Sequence, residues 1–558
     1  MPTLQFKGKN IIWNHHLAIP YHTLDDVTEL DFAAPKVKDT GNLIIEGDNL
    51  LALKSLLPQY AGKVDCIYID PPYNTGNEGW VYNDKVNSPL INEWVGKVVG
   101  LDDLTRHDKW LCMIVPRLKI LQELLKDEGA IFISIDENEL YNLKNILDEI
   151  FLAENFIASI TVQVNKGGRD YLPIAITNEF LLCYFKSDKG ELNELQKEGD
   201  ALKEKDDLGK YELRELRNRN PRFNSANRPN LFYPFYVDPN SANDKKECKV
   251  SLTKSKEFSV EVYPLNSKDE ESCWRWGKQK VIDNNKAEIS KSNVVARQKN
   301  GNGWNIYEKS RKETYKPKSI WDESEVRTEQ GTIDLRELGM AGKFDHPKPV
   351  ALVKKVIEIA SEKDAIILDS FAGSGTTGQA VLQLNKEDGG NRKFILVQMP
   401  ENTEEEPKKN ICKDVTRERV KKAIEKYEFK SGFKYQRVGI PLDAESMLEG
   451  NLPTYLQFAK YVYYLCTGEN LTDTKAVDAK KYFVGKHGST LIYLVYEKDY
   501  DKLTRLALNL SLAEQIRKDN TKKKVIVYAP ACFLDEEYLE EHQIQFVSIP
   551  YNLFQRNN

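Results

Sequence analysis

Cysteine is present in this chain but never in a pattern. The eight cysteines, at positions 66, 112, 183, 248, 273, 412, 466 and 532, form no CxxC pair, and the seven histidines do not gather beside them in sequence. A zinc finger or disulfide framework is thereby excluded, no metal is expected, and reduced thiols in a cytoplasm fit the pattern. Long apolar runs are missing as well. No stretch reaches the roughly 18 apolar residues of a membrane span, and Met1 to His22 is polar throughout where a signal peptide has an apolar core. A cytoplasmic protein away from the membrane is the expectation. There is no GxxxxGK[ST] ATPase motif, no internal repeat and no low-complexity tract. What is present is 558 residues with 41% hydrophobic content, enough for three or four compact units of about 150 residues each, with a core that needs no covalent staple.

Neither sign of charge dominates the whole, with 80 Lys and Arg against 85 Asp and Glu, a net of −5. The average hides an asymmetry. Residues 201–320 hold 26 basic and 17 acidic residues, and the remainder carries 54 against 68. In that basic segment Arg214, Arg217, Arg219, Arg222 and Arg228 are interleaved with Phe223, Phe232, Tyr233, Phe235 and Tyr236, and Trp274, Arg275, Trp276 and Lys278 follow. Guanidinium groups and flat rings suit contact with phosphates and bases. Charge alone leaves a second reading open, a solvated loop-rich domain with its own small aromatic core. Trp274 and Trp276, two apart, also fit one buried face of a strand.

Val64 to Ile69 (VDCIYI) reads as a buried strand, Lys109 to Asp127 as a helix stopped by Gly129, and Ala130 to Ile135 as a second strand. A helix from Leu140 to Phe151 and strands Phe156 to Val164 and Glu179 to Phe185 follow. Strands alternating with helices predict a parallel α/β sheet. The pattern fades after Lys186, where Asn, Pro, Lys and Arg rise. It returns with a helix Pro349 to Ala360, a strand Ala365 to Leu368, a helix Thr376 to Leu384 and a strand Lys393 to Val397. Beyond about Gly432, strands Thr490 to Val495 and Lys524 to Tyr528 and a helix Leu503 to Ile516 predict a small α/β domain. The domain reading is 1–185, 186–325, 326–430 and 431–558.

Two loops carry chemistry. The strand at Val64 ends in Asp70-Pro71-Pro72-Tyr73, followed by a polar loop with Gly76, Gly79 and Trp80. Open α/β sheets bind ligands at their carboxyl edge. Two prolines stiffen the loop and remove two N–H donors, so it presents acceptors. Asp70 and the Pro71 carbonyl could accept both hydrogens of an amino group while Tyr73 offers a ring for stacking, an arrangement that an exocyclic amine of a nucleobase would fill. A structural Pro-Pro turn is the alternative. The second loop is Asp369-Ser370-Phe371-Ala372-Gly373-Ser374-Gly375-Thr376-Thr377, a strand running through a glycine-rich turn into a helix. Gly373, Gly375 and Gly378 have dinucleotide-fingerprint spacing, yet no acidic residue stands about 20 positions on to hold a ribose, and no Lys follows the glycines. A close helix–strand packing turn is its alternative.

These loops resemble a known family. FAGSGTT is similar to the S-adenosylmethionine loop of amino-DNA methyltransferases and DPPY to their catalytic loop. Their order, with a basic segment between, matches the β group of adenine methyltransferases. The segments Gly47-Asp48-Asn49-Leu50 and Phe344-Asp345-His346-Pro347-Lys348-Pro349 resemble the same family. DPPYNTGN, GAIFISIDENE, RPNLFYPFYVDP, FDHPKPV and the long C-terminal tail narrow the likeness to the modification subunit of type III restriction-modification systems. It covers residues 40 to 400 well and the tail loosely.

The resemblance implies an α/β, Rossmann-like S-adenosylmethionine-dependent methyltransferase domain with an inserted target-recognition domain and a small C-terminal α/β domain. It implies transfer of methyl to N6 of a flipped adenine in double-stranded DNA, with cytosine N4 methylation and a non-catalytic recognition subunit as alternatives. Asp70, Pro71, Pro72 and Tyr73 would be catalytic. Asp369, Phe371, Ala372, Gly373, Ser374, Gly375 and Thr376 would surround the methionine part of the cofactor, with Lys348 and Pro349 nearby and Asp48 at the adenosine end, unless Asp48 is only a helix cap. Gln398 stands where many relatives carry an acid for the ribose, so Gln398 or Glu401 would take that role. Arg217, Arg219, Arg222, Arg228, Trp274, Arg275 and Lys278 are the DNA-binding candidates. A homodimer and a separate helicase-nuclease restriction subunit are the implied partners.

Overall fold

Among the described residues eleven strands make one mixed sheet whose middle is buried on both faces. The computed structural model describes residues 3–37, 40–75, 105–168, 173–197, 202–299, 303–402, 408–518 and 523–549; the expected loop at Gly76, Gly79 and Trp80 lies outside them. Two compact units result, Met1–Asn193 with Lys318–Asn558, and Glu194–Pro317.

In the first unit the strands of the sheet are β1 (His22–Asp26), β2 (Leu43–Glu46), β3 (Val64–Ile69), β4 (Leu125–Ile135), β5 (Phe156–Gln163), β6 (Asn178–Phe185), β7 (Ile320–Trp321), β8 (Ile366–Asp369), β9 (Lys393–Gln398) and β10 (Gly432–Pro441). Their spatial order is β1-β10-β2-β9-β8-β3-β4-β6-β5-β7, with Phe32–Ala33 beside β10. Parallel pairing runs from β10 to β4. In β3 and β8 residues of both faces are buried, which is why they read as continuous apolar runs rather than alternating.

The expectation of an α/β sheet holds, but not of an all-parallel one. β6 is antiparallel to both β4 and β5. Among the described residues no helix stands between β5 and β6, and a parallel return needs a crossover. The helix before β4 spans Arg106–Leu124 (α2, after α1 at Asn49–Tyr60) and passes through Pro116. It ends before Asp127 because Leu125 is already extended and pairs with Val64. Gly129 therefore lies in the strand, where a Cβ would come within 3.0 Å of the Asp65 carbonyl.

β10 follows residue 431 and pairs with β2, so the sheet continues past the expected boundary at 430. Further on, Phe483–His487, Thr490–Leu494, Lys524–Ala529 and Ile544–Ser548 form a separate four-stranded sheet. The expected helix from Leu503 to Ile516 is two, Tyr500–Leu503 and Leu510–Lys518. Between them Leu508 is drawn into an extended bridge with Cys532, its N–H donating to Ala531.

The second unit holds three small antiparallel sheets around Tyr233, Phe235, Val237, Trp274, Trp276 and Ile306. Among the described residues no helix is long and apolar enough to cross a membrane.

Before α3 (Val350–Ala360), the segment carrying Lys348 is seated on the helix Thr328–Glu337. The Asp334 carboxylate accepts from the Val350 N–H at 2.9 Å, and a Cβ on Gly331 would lie 1.9 Å from the Pro347 carbonyl oxygen. Glycine in a helix usually costs stability relative to alanine; here the close backbone reverses the sign. Gly331→Ala is expected to destabilise the fold by about 1–3 kcal/mol through overpacking, seen as a lowered midpoint in denaturant unfolding.

Candidate active site

Because β3 and β8 are adjacent and parallel, the loops that follow Asp70 and Asp369 leave the sheet at the same edge. The Asp70 loop is pinned from behind. Trp110 of α2 donates its indole N–H to the Pro72 carbonyl at 2.7 Å, and fully buried Asn74, in a left-handed conformation, donates to Glu139 Oε1 at 2.5 Å. His107 Nδ1 meets the same Glu139 oxygen at 2.6 Å. Among the described residues the Pro71 carbonyl accepts no hydrogen bond.

A second carboxylate joins Asp70. Glu179, near the start of β6, and Lys348 meet the Asp70 loop at the Tyr73 hydroxyl. Lys348 Nζ lies 2.6 Å from that hydroxyl, 2.7 and 2.8 Å from the two Glu179 oxygens, and 3.4 Å from Asp70 Oδ1. The Tyr73 O–H faces Asp70 Oδ1 at 2.9 Å and Glu179 Oε2 at 3.1 Å, one proton between two acceptors. Burial pushes the Asp70 carboxyl above its ordinary pKa, Lys348 opposes this and Glu179 adds to it. Burial works against the charge of Lys348, but attraction to Asp70 and Glu179 outweighs it and its pKa rises. Lys348, expected near the cofactor, bonds Tyr73 of the Asp70 loop through its ammonium and Thr376 of the glycine turn through its carbonyl.

The glycine turn is built by its own polar groups. Asp369 accepts from the Phe371 N–H at 3.0 Å and from the Thr377 hydroxyl at 2.5 Å. Gly373 and Gly375 both have positive φ, and a Cβ on Gly375 would sit 2.9 Å from the Thr416 carbonyl oxygen. Gly373 donates to Gln398 Oε1 at 2.8 Å, and Gln398 Nε2 donates to Glu401 Oε1 at 2.7 Å and to the Met399 carbonyl. Both ends of the Gln398 amide are therefore committed to holding the turn, and Glu401 is tied to it. Arg419, fully buried, donates from one nitrogen to the Ser374 and Thr376 hydroxyls, both at 2.6 Å. Phe371 packs on the main core, Ala372 is buried in the turn, and Pro349 caps α3.

Asp48 is a helix cap: its Oδ1 accepts from Leu50 and Leu51 at the start of α1, and Oδ2 faces Arg117 at 3.5 Å. It also lies beside the turn, since neighbouring Asn49 donates to the Ser370 carbonyl at 3.0 Å. Ser370 Oγ is buried with no hydrogen-bond partner among the described residues. An orphaned hydroxyl at a backbone turn with left-handed glycines and surplus carboxylates fits a small polar, cationic ligand.

The family model described as DNA methylase matches residues 64–409, an interval that begins with β3 and contains both loops and the unit between them. The chain belongs to this DNA methylase family. The EcoPI Mod subunit of a type III restriction-modification enzyme from Escherichia phage P1 is 37% identical over 65% of this chain and 58% of its own length. The type II methyltransferase M.KpnI of Klebsiella pneumoniae is 34% identical over 67% of this chain and 84% of that protein. The StyLTI Mod subunit of Salmonella typhimurium is 31% identical over 72% and 61%. The chain thus spans about three fifths of each of these two Mod subunits.

The DNA-binding candidates divide by exposure. Arg219, Arg222, Arg228 and Lys278 are exposed, although Arg219 leans on Glu215 at 2.9 Å; Arg217 is largely covered and pairs with the same carboxylate at 3.0 Å. Two candidates are corrected. Trp274 is 2% exposed, donates to the Tyr233 carbonyl at 2.7 Å and meets the Phe235 ring edge-on at 5.1 Å, so it is core. Arg275 donates to the Glu215 carbonyl at 2.6 Å and pairs with Glu308 at 3.0 Å, holding strands together. Glu179, Glu139, Trp110 and Arg419 were missed. A carboxylate opening an apolar strand (NEFLLCYF) and an arginine beside the apolar positions Val415 and Val420 were the available signals.

Asp369 gives a pH test. Burial pushes its carboxyl up to about 7, opposed by Thr377 and the Phe371 N–H. With the folded value above the unfolded one, the native state binds the proton more tightly, and stability falls as pH rises from about 4 to about 7. Asp369→Asn cannot ionise. The wild type is expected to lose up to about 4 kcal/mol relative to this variant over that window, measured by denaturant unfolding of both proteins without cofactor at pH 4.5 and 8.

Proposed function

We propose that this chain is a site-specific DNA methyltransferase that moves the methyl group of S-adenosylmethionine to N6 of an adenine flipped out of double-stranded DNA. In this reading it is the modification and recognition subunit of a type III restriction-modification system. The observation that carries it is the Asp70 carboxylate and the Pro71 carbonyl at the same sheet edge as the Asp369 glycine turn. When bound, S-adenosylmethionine supplies an electrophilic methyl on a positively charged sulfur. Asp369, Phe371, Ala372, Gly373, Ser374, Gly375 and Thr376 would hold it, with the Ser370 hydroxyl facing its polar groups and Asp48 and Glu401 on the flanks.

An adenine amine is a poor nucleophile because its lone pair is delocalised into the ring. Asp70 and the Pro71 carbonyl, accepting its two N–H bonds, orient the nitrogen so that the lone pair points out of the ring plane. Asp70 also stabilises the charge that grows on the nitrogen. Extruding the base costs a few kcal/mol, and stacking on the Tyr73 ring recovers part of it. Exposed Arg219, Arg222, Arg228 and Lys278 suit phosphate contact. The Mod relatives support adenine as the base and a separate restriction subunit as partner, since this chain has no ATPase motif; a homodimer rests on the family alone.

The test is incubation of the purified protein with tritiated S-adenosylmethionine and unmethylated DNA, then nucleoside analysis and mapping. Label in N6-methyladenine at one short motif is expected; label in N4-methylcytosine overturns the base assignment. Asp70→Ala is expected to lower methyl transfer by at least about 100-fold while cofactor and DNA still bind.

A further inference from the structure

A carboxylate accepts an amine N–H only with a lone pair free, and Asp70 has a cation for a neighbour. The positions of the two carboxylates decide where that cation goes. Lys348 Nζ makes close contacts of 2.7 and 2.8 Å with both oxygens of Glu179, whereas its 3.4 Å approach to Asp70 is longer than an ordinary N–H···O bond. Glu179 cannot easily move. It is held in β6 by pairing with Val162 of β5, and β6 is anchored along its length to β4. The Lys348 backbone is fixed too, its carbonyl accepting from the Thr376 hydroxyl at 3.1 Å. The ammonium reaches the site from a fixed base and lies nearer Glu179 than Asp70.

We propose that Glu179 is a positioning residue that holds Lys348 off Asp70 and so keeps the Asp70 oxygens open to the target amine. The inference rests on the methyl-transfer reading above. Two carboxylates and one ammonium leave one negative charge uncompensated. Removing the charge of Glu179 makes Asp70 the nearest anion for Lys348, and in a buried site that attraction is strong enough to close the remaining gap. A closed Lys348–Asp70 pair competes with the amine for the acceptor positions of that carboxylate, one of which already faces the Tyr73 hydroxyl. The titratable groups facing Asp70 are Tyr68, Tyr73, Glu179, Lys348 and Asp369. Of these Glu179 raises the Asp70 pKa and Lys348 lowers it, so loss of the Glu179 charge moves the acidic limb of the rate profile to lower pH.

The experiment compares wild type, Glu179→Gln, Lys348→Met and the double variant in methyl transfer with tritiated S-adenosylmethionine, alongside separate cofactor and DNA binding. For Glu179→Gln, kcat is expected to fall at least about 30-fold with both binding constants within about threefold, and the acidic limb to shift down. The double variant is expected to recover at least about fivefold over Glu179→Gln, because the cation that captures Asp70 is gone. A merely structural or proton-accepting Glu179 predicts no such recovery. Should Glu179→Gln unfold, Glu179→Asp, with its charge withdrawn by one methylene, is expected to show a smaller loss and the same rescue by Lys348→Met. With an active wild type, Glu179→Gln within twofold of it, or a double variant no faster than the single, overturns the inference alone. A wild type that transfers no methyl to DNA overturns the methyltransferase reading and this inference with it.

Discussion

The pairing of β3 with β8 is the constraint on which the site depends. Cys66 and Ile67 lie against Ile367 and Leu368 in parallel register, so two loops far apart in sequence emerge side by side. Nothing local brings Asp70 to the glycine turn; burial of two apolar strands in one sheet does. The cost of closing so long a loop grows only slowly with its length. A whole compact unit, Glu194–Pro317, can therefore stand between the loops in sequence while the chain leaves the first unit at Asn193 and re-enters it at Lys318. The Asn49 bond to the Ser370 carbonyl adds a third distant segment to the same edge.

Charge is the second theme of this edge. Asp70, Glu179 and Asp369 gather there with Lys348 as the cation, bonded to Glu179 and 3.4 Å from Asp70, and both Asp70 and Asp369 have their carboxyls raised by burial. Buried carboxylates in excess of their counter-ions disfavour their own ionisation. A cationic ligand relieves that strain and favours the ionised form that an N–H acceptor requires. The site is thus poised for a ligand that carries positive charge, and the same surplus makes the distribution of the one ammonium between two carboxylates matter.

Much of this was legible in the sequence, for identifiable reasons. β3, β8 and β9 read correctly because strands covered on both faces are continuous apolar runs. The two loops stood out because Pro71, Pro72, Gly373 and Gly375 are punctuation that few other residues replace. Glu179 was hidden because a single carboxylate at the start of an apolar strand looks like a solvent-facing end, and its partner Lys348 lies in a segment far along the chain. The antiparallel direction of β6 was lost because periodicity carries no direction. Trp274 and Arg275 misled because composition weighs a buried ring and a surface ring equally. In a small unit with weak periodicity the largest rings are also the cheapest source of core, and Trp274 beside Phe235 is used that way.

The glycine turn and the Asp70 loop are one bonded assembly rather than two neighbours. Arg419 donates to the Thr376 hydroxyl, Thr376 donates to the Lys348 carbonyl, and the Lys348 ammonium bonds Tyr73 and Glu179 beside Asp70. Each link is buried or half-buried, where an unmade polar contact is expensive. A shift of the turn by even a fraction of an ångström must then be felt at the Lys348 backbone, and through its side chain at the carboxylates. In-line transfer requires the donor and the accepting nitrogen to be placed together within about 3–3.5 Å, and independent loops at a sheet edge would let that distance drift. The buried Arg419, far from the reacting groups in the chain of bonds, is where this register begins.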